Sequence, residues 1–346
     1  MWTRCCPLRL PAVALALTLL AACGGPPPVL TASGIAMGTT WSVQVVAPPE
    51  GLGSSTLRWT VQQALDAVEA RMSTFRTDSE LSRINGQRHT DWIPISAELY
   101  QVLAAAQEVS QLTQGAFDVT VGPLVDLWGF GPGGERHVPG EAALHAVKSR
   151  VGYEKLELRA DPPALRKRHP ELSIDLSGIA KGLAVDRAAE ALSGLHVTNY
   201  LVEVGGELSG HGHNARGEPW QIAIERPQPD ARVPYAIFAL RDLASATSGG
   251  YRNYFEAGGR RYSHTIDPAT GRPVTHRLAS VTVLDASCMR ADALATGLLV
   301  LGPEQGMRLA EAQGIPAYFI VATAQGFRAR VSPAFRTYLE AEYGSP

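Results

Sequence analysis

The stretch Arg290-Ala-Asp-Ala-Leu-Ala-Thr-Gly-Leu-Leu-Val-Leu-Gly302 restricts the fold more than any other part of the chain. Its small and apolar residues recur at helical spacing, with Leu294, Leu298 and Leu301 on one side and Gly302-Pro303 closing the run. Asp292 and Thr296 are one helical turn apart and so share a face. A carboxylate and a hydroxyl are hard oxygen donors that suit a cation such as Mg²⁺. The same pair also suits a buried helix in which Thr296 bonds to main chain and Asp292 caps a neighbour. Spacing alone leaves both readings open.

At the other end, Arg4 and Arg9 precede the apolar run Pro11–Ala22, which is shorter than the roughly 20 residues a membrane span needs. This reads as an export signal over residues 1–22. Leu20-Ala-Ala-Cys23 resembles the lipobox of bacterial lipoproteins, which would place lipid on Cys23 and the protein in the periplasm on a membrane anchor. Gly24 permits the outer membrane as well as the inner. Residues 23–33, with Gly24 to Pro28 at their start, read as a lipidated cysteine and flexible tether, and 34–346 as the functional domain. Cys5 and Cys6 leave with the signal, so Cys288 stands alone and no internal disulfide is expected. A net charge of -2 offers no electrostatic argument for nucleic acid.

Between these ends the pattern alternates strands and helices. Met37–Val46 reads as a strand entered through a Gly turn, Leu57–Met72 as a helix, and Ser96–Ser110 as a helix capped by Ser96. Gly115–Phe130 is rich in Gly and aromatics, and reads either as a ligand-contacting loop around Asp118 or as a Gly-bent edge strand. Leu172–Gly182 reads as a strand and Gly turn leading to a helix, Leu183–Leu192, whose free N–H groups and Lys181 suit phosphate; such joints are also common structure. The basic run Arg166–His169 reads as solvated, and Ala246–Phe255 as a turn. His211-Gly-His213 lacks further ligands at zinc spacing. His264 is either a base active near neutral pH or a structural histidine.

Taken together, the segments resemble the ApbE family, the FAD:protein FMN transferases. The matching pieces are Met37-Gly-Thr-Thr-Trp41, Met72-Ser-Thr-Phe75, Ala116-Phe-Asp118 with Val121–Gly131, Asp175-Leu-Ser-Gly-Ile-Ala-Lys-Gly182, Val204-Gly-Gly206, Thr247-Ser-Gly249 with Tyr251-Arg-Asn-Tyr254, His264-Thr-Ile-Asp-Pro268 with Thr270-Gly-Arg-Pro273, and Ala291–Thr296. Each is weak alone; their order over nearly the whole domain is specific.

The resemblance implies an α+β fold, antiparallel sheets with flanking helices in two T-fold-like halves sharing a flavin cleft. It implies Mg²⁺-dependent transfer of FMN from FAD to a Ser or Thr hydroxyl of another protein, with release of AMP. The acceptors it implies include subunits of sodium-pumping NADH:quinone reductase and Rnf-type complexes. By motif match, Met37, Phe75, Ala116, Phe117, Asp118, Asp175, Lys181 and Ile266 fall on FAD-contacting positions. Gly178 (through its carbonyl), Asp292 and Thr296 fall on metal-ligand positions, and His264 on that of the proposed catalytic histidine, with Lys181 holding phosphates. Two residues depart from the pattern: Phe75 stands where many members carry Tyr, and Ala295 where some carry an acid. Hydrolysis of FAD to FMN and AMP, or flavin binding without catalysis, are the competing activities.

Overall fold

The computed structural model describes residues 26–228 and 232–342. The export signal and Cys23 lie outside the described residues. The first strand already occupies the end of the stretch read as tether.

Strands β1 (Val29–Ala36) and β2 (Thr39–Val46) form a hairpin in which Ala36 faces Thr39. Met37 and Gly38 make the two-residue turn with φ of 51° and 70°, the positive values that match the twist of the flanking strands. Glycine reaches that region freely. Met37 does so with its N–H donated to Glu69 Oε2 at 3.2 Å.

Among the described residues, seven α-helices follow the hairpin or interleave with later strands. Helix α1 (Ser54–Met72) buries Leu57, Val61, Leu65, Val68 and Met72, the 3–4 spacing of an amphipathic helix. Helix α2 spans Glu80–Gly86. Helix α3 (Ala97–Leu112) starts as expected, with Ser96 Oγ accepting from the Leu99 N–H at 3.1 Å and Leu99, Val102, Leu103 and Ala106 buried. Helices α4 (Gly122–Leu127), α5 (Glu141–Lys148), α6 (Ala180–Gly194) and α7 (Cys288–Gln313) complete the set. No described helix is long and apolar enough to cross a membrane.

The later strands are β3 (Tyr200–Val204), β4 (Glu207–His211), β5 (Trp220–Glu225), β6 (Pro234–Leu240), β7 (Leu243–Gly249), β8 (Leu278–Asp285), β9 (Ala317–Thr323), β10 (Gly326–Val331) and β11 (Leu339–Glu342), with short pairs elsewhere. An antiparallel sheet runs β1-β2-β3-β4-β7-β8-β9-β10. Its two four-strand halves meet where β4 pairs β7. On one face α1 packs on β1, α6 on β3 and β4, and α7 on β7 and β8, while α6 touches both α1 and α7. On the other face a small sheet, β11-β6-β5, covers Val46, Leu284, Tyr318 and Ile320 with Trp220, Ile224 and Phe238. The fold is therefore α+β with two sheet halves, as the resemblance implies.

Several local expectations are corrected. Gly115–Phe130 is no strand: Asp118 caps a short 3₁₀ turn by accepting the Thr120 N–H at 2.7 Å, and Pro123 sits in the first turn of α4. Trp128 is buried, its Nε1–H donating to the Gly271 carbonyl. Leu172–Leu176 joins no sheet, because the Asn85 amide takes both main-chain groups of Ile174, each at 2.8 Å, as a strand would have. Ala246–Gly249 lies in β7 and pairs with β8, where its hydroxyl residues suggested a turn. Lys167, in the run read as solvated, is buried and donates to the Ile84 and Gln87 carbonyls at the end of α2. Gly302 does break α7 (φ 78°, ψ -179°), yet the chain resumes helical form at Pro303 instead of stopping.

Candidate active site

Two close approaches bring the site together. A Cβ on Gly182, in the first turn of α6, would lie 2.3 Å from the Cys288 carbonyl, so only glycine lets α6 meet the start of α7 at this distance. A Cβ on Gly178 would lie 3.2 Å from Thr296 Oγ1 and 3.3 Å from the Phe117 ring. The turn before α6 thus rests on the face of α7 that carries Asp292 and Thr296.

There a cavity of about 360 Å³ opens between the two sheet halves. Asp292 and Thr296 of α7 line it, with Asp175, Gly178 and Lys181 from the entry to α6. Ala116, Phe117 and Asp118 form another wall, and His264 and Ile266 a third. The structure therefore assembles ten sequence-predicted positions around one space. Met37 and Phe75 do not line it. Met37 is tied to Glu69 near the C-terminal end of α1, and Phe75, just beyond that end, is 71% exposed.

The charges in the cavity are linked. Lys181 Nζ donates to Glu207 Oε1 at 2.7 Å and stands 3.9 Å from Asp292 Oδ1. Asp292 is buried, and its Oδ2 accepts the Gly182 N–H at 3.0 Å. It thus caps α6, as one sequence reading held, while Oδ1 remains directed toward the lysine. The Gly182 N–H is accordingly not free for phosphate. Burial raises the Asp292 carboxyl above its usual range, opposed by Lys181 and by the Gly182 N–H. Burial also works against the Lys181 charge, but Asp292 and Glu207 outweigh it and raise the lysine above its ordinary value. Lys181 is thus a cation at neutral pH.

Glu207 is the residue that sequence reasoning missed. Burial pushes its carboxyl up to about 7 against the pull of Lys181, and Oε2 is buried without a partner. The signal was adjacent: Glu207 follows the Gly205-Gly206 turn at the start of β4. Ser248, in the Thr247-Ser-Gly249 segment, was also missed as a site residue. Its Oγ lies 2.9 Å from Thr296 Oγ1, so Thr296 bonds from α7 to a side chain of β7 and not to its own main chain.

His264 lines the cavity with a defined tautomer. Its Nδ1 lies 3.0 Å from the Asn253 carbonyl, which can only accept, so Nδ1 carries the proton and Nε2 the lone pair. Burial lowers the imidazole pKa below its usual 6.5, with the Asn253 bond opposing and Lys181 reinforcing the shift. The ring is neutral at pH 7 and fit to accept a proton. Asp118 accepts from Thr120 through both its N–H and its hydroxyl, and burial raises its carboxyl. Asp175 Oδ1 accepts the Ser177 N–H at 2.7 Å.

The chain as a whole is similar to several known proteins. The ApbE family model matches residues 37–319. The FAD:protein FMN transferase of Vibrio cholerae is 47% identical over 329 residues, 94% of this chain and 98% of that protein. The one from Haemophilus influenzae is 43% identical over 337 residues, 95% and 96% of the two chains. Among solved structures, the flavin transferase ApbE from Vibrio cholerae superimposes with a TM-score of 0.84 at 45% identity, covering 91% of this chain and all of that one. The flavinyl transferase ApbE of Pseudomonas stutzeri, in its apo form, gives 0.83 at 39% identity over 93% and 99%. With a family model spanning most of its length and relatives this similar end to end, the chain belongs to the ApbE family.

Proposed function

We propose that the protein is an FAD:protein FMN transferase that moves FMN from FAD onto a Ser or Thr hydroxyl of an acceptor protein. The observation that carries the reading is one cavity that joins a fixed cation, hard oxygen donors and a neutral histidine. In the reaction the acceptor oxygen bonds to the phosphorus on the FMN side, the bond from that phosphorus to the bridging oxygen breaks, and AMP leaves with that oxygen. His264 Nε2 takes the hydroxyl proton, and its Nδ1–H stays on the Asn253 carbonyl. Lys181 holds the pyrophosphate charge, with Glu207 fixing the position of its ammonium group. Asp118 and Asp175 stand where they can accept bonds from the flavin nucleotide, and Ala116, Phe117 and Ile266 supply apolar wall.

The donors fit a hard divalent cation. Among the described residues no three His, Cys, Asp or Glu cluster, so any site here draws on mixed oxygens. Asp292 carboxylate and Thr296 hydroxyl, one turn apart on α7, with the carbonyl of Gly178, which packs against Thr296, would be such a set. Bound Mg²⁺ would neutralise pyrophosphate charge. The leader and Cys23 support a lipid-anchored periplasmic protein, and acceptors of the kind found in sodium-pumping NADH:quinone reductase and Rnf complexes match that address.

Intact-protein mass spectrometry tests the reading. The soluble domain is mixed with FAD, Mg²⁺ and the periplasmic domain of a sodium-pumping NADH:quinone reductase subunit. A gain of one FMN on the acceptor with AMP released is expected. Free FMN and AMP with an unmodified acceptor would replace transfer by hydrolysis.

A further inference from the structure

The small sheet covers only part of the large sheet's second face. Under it that face is apolar, with Val46, Leu284, Tyr318 and Ile320 buried. Beyond its edge the same face turns polar, with Ser42, Gln44, Glu203 and Thr247 lining a groove of about 550 Å³. One side of the groove is β5, from Ile222 to Glu225. Among the described residues β5 pairs only with β6, so its other edge offers main-chain N–H and C=O groups to whatever enters.

The groove runs into the active-site cavity. Gly205, Thr247, Tyr251 and Arg252 line both spaces. An ion pair between Arg252 and Glu225 ties the end of β5 to the loop at this junction. Ala223, at the middle of β5, is exposed and lines the groove.

From this juxtaposition we propose that the groove seats the flavin-receiving segment of the acceptor protein as an added strand on β5, its hydroxyl passing Thr247 into the cavity. This rests on the transferase reading. A free strand edge recognises an extended peptide through main-chain bonds, and alternate side chains meet the polar floor. The groove carries charges of both signs, Glu203 and Glu225 with Arg232 and Arg252, and Glu225 pairs with both arginines, a mixed lining suited to a polar peptide.

The experiment compares wild type with Ala223→Trp and Gln44→Trp, two exposed groove positions, one on β5 and one on the large-sheet face. Steady-state transfer to the same acceptor domain is measured against acceptor and against FAD, and amide exchange of β5 is followed with and without acceptor. Expected are an acceptor KM raised by about tenfold or more in both variants, an FAD KM within about twofold of wild type, and acceptor-dependent protection over 221–225. The unchanged FAD KM reports an intact fold. Both variants at the wild-type acceptor KM, with β5 unprotected, would overturn the groove while leaving transfer standing. A wild-type protein that moves no FMN would remove the transferase reading and this inference with it.

Discussion

Lys181 Nζ lies 2.7 Å from Glu207 Oε1, pairing a cation from the start of α6 with a carboxylate from the start of β4. The pair crosses from the helical layer to the sheet and fixes the ammonium beside Asp292. Glu207→Gln keeps the shape and removes the charge. FAD KM should rise about tenfold, near the 1.4 kcal/mol of a charge-assisted hydrogen bond. A stability signature should accompany it. The folded Glu207 carboxyl titrates near 7 against an ordinary 4.5, so the native state holds a proton that the unfolded chain releases first. This contribution is present below pH 4.5 and lost as pH rises toward 7. Urea unfolding from pH 5 to pH 7.5 should show that slope in wild type and a smaller one in the variant.

His264→Asn should lower kcat by roughly 10²–10⁴, the usual range for a lost general base, with FAD binding retained. The wild-type acid limb should fall below the ordinary histidine value of 6.5, since burial disfavours the imidazolium. Between the folded pKa and 6.5 the unfolded chain binds the extra proton, so stability rises with pH across that window. A pH–rate profile and melting in matched buffers check both.

Asp292→Asn separates the capping role from the proposed metal role. The amide oxygen still accepts the Gly182 N–H, so melting should stay close to wild type. Turnover should fall at least about 100-fold, because a neutral amide is a poor ligand for a hard cation. Asp292→Ala should lose turnover and also about 1 kcal/mol of stability through the missing cap. Chelation of divalent ions should stop wild-type turnover, and added Mg²⁺ should restore it.

Gly182→Ala should unfold the protein at a lower temperature. Its methyl would meet main chain at 2.3 Å, which no side-chain rotation relieves. A loss of about 1–3 kcal/mol or more is expected from forcing α6 and α7 apart, read by thermal melting. FAD affinity should fall with it.

Lys167→Met tests a buried cation that has no carboxylate partner among the described residues. The lysine satisfies the Ile84 and Gln87 carbonyls, and burial lowers its pKa, with Arg88 adding to the shift. Methionine fills the space but cannot donate, so urea unfolding should register a loss of about 1–3 kcal/mol.

What the sequence determined by itself was local pattern and ordered motif. The spacing of Leu57 to Met72, the Ser96 cap and the four-residue step from Asp292 to Thr296 follow from helix geometry and needed no partner. The ordered segments likewise placed the chain in its family. The tertiary structure alone decided where backbone groups find partners. Asn85 keeps Leu172–Leu176 out of a sheet, β8 draws Ala246–Gly249 into one, and the end of α2 buries Lys167. It also brought Glu207 to Lys181 and Ser248 to Thr296, and left Phe75 on the surface. Such contacts join residues far apart in the chain, and hydrogen bonding and desolvation there depend on distance in space, which no local period encodes.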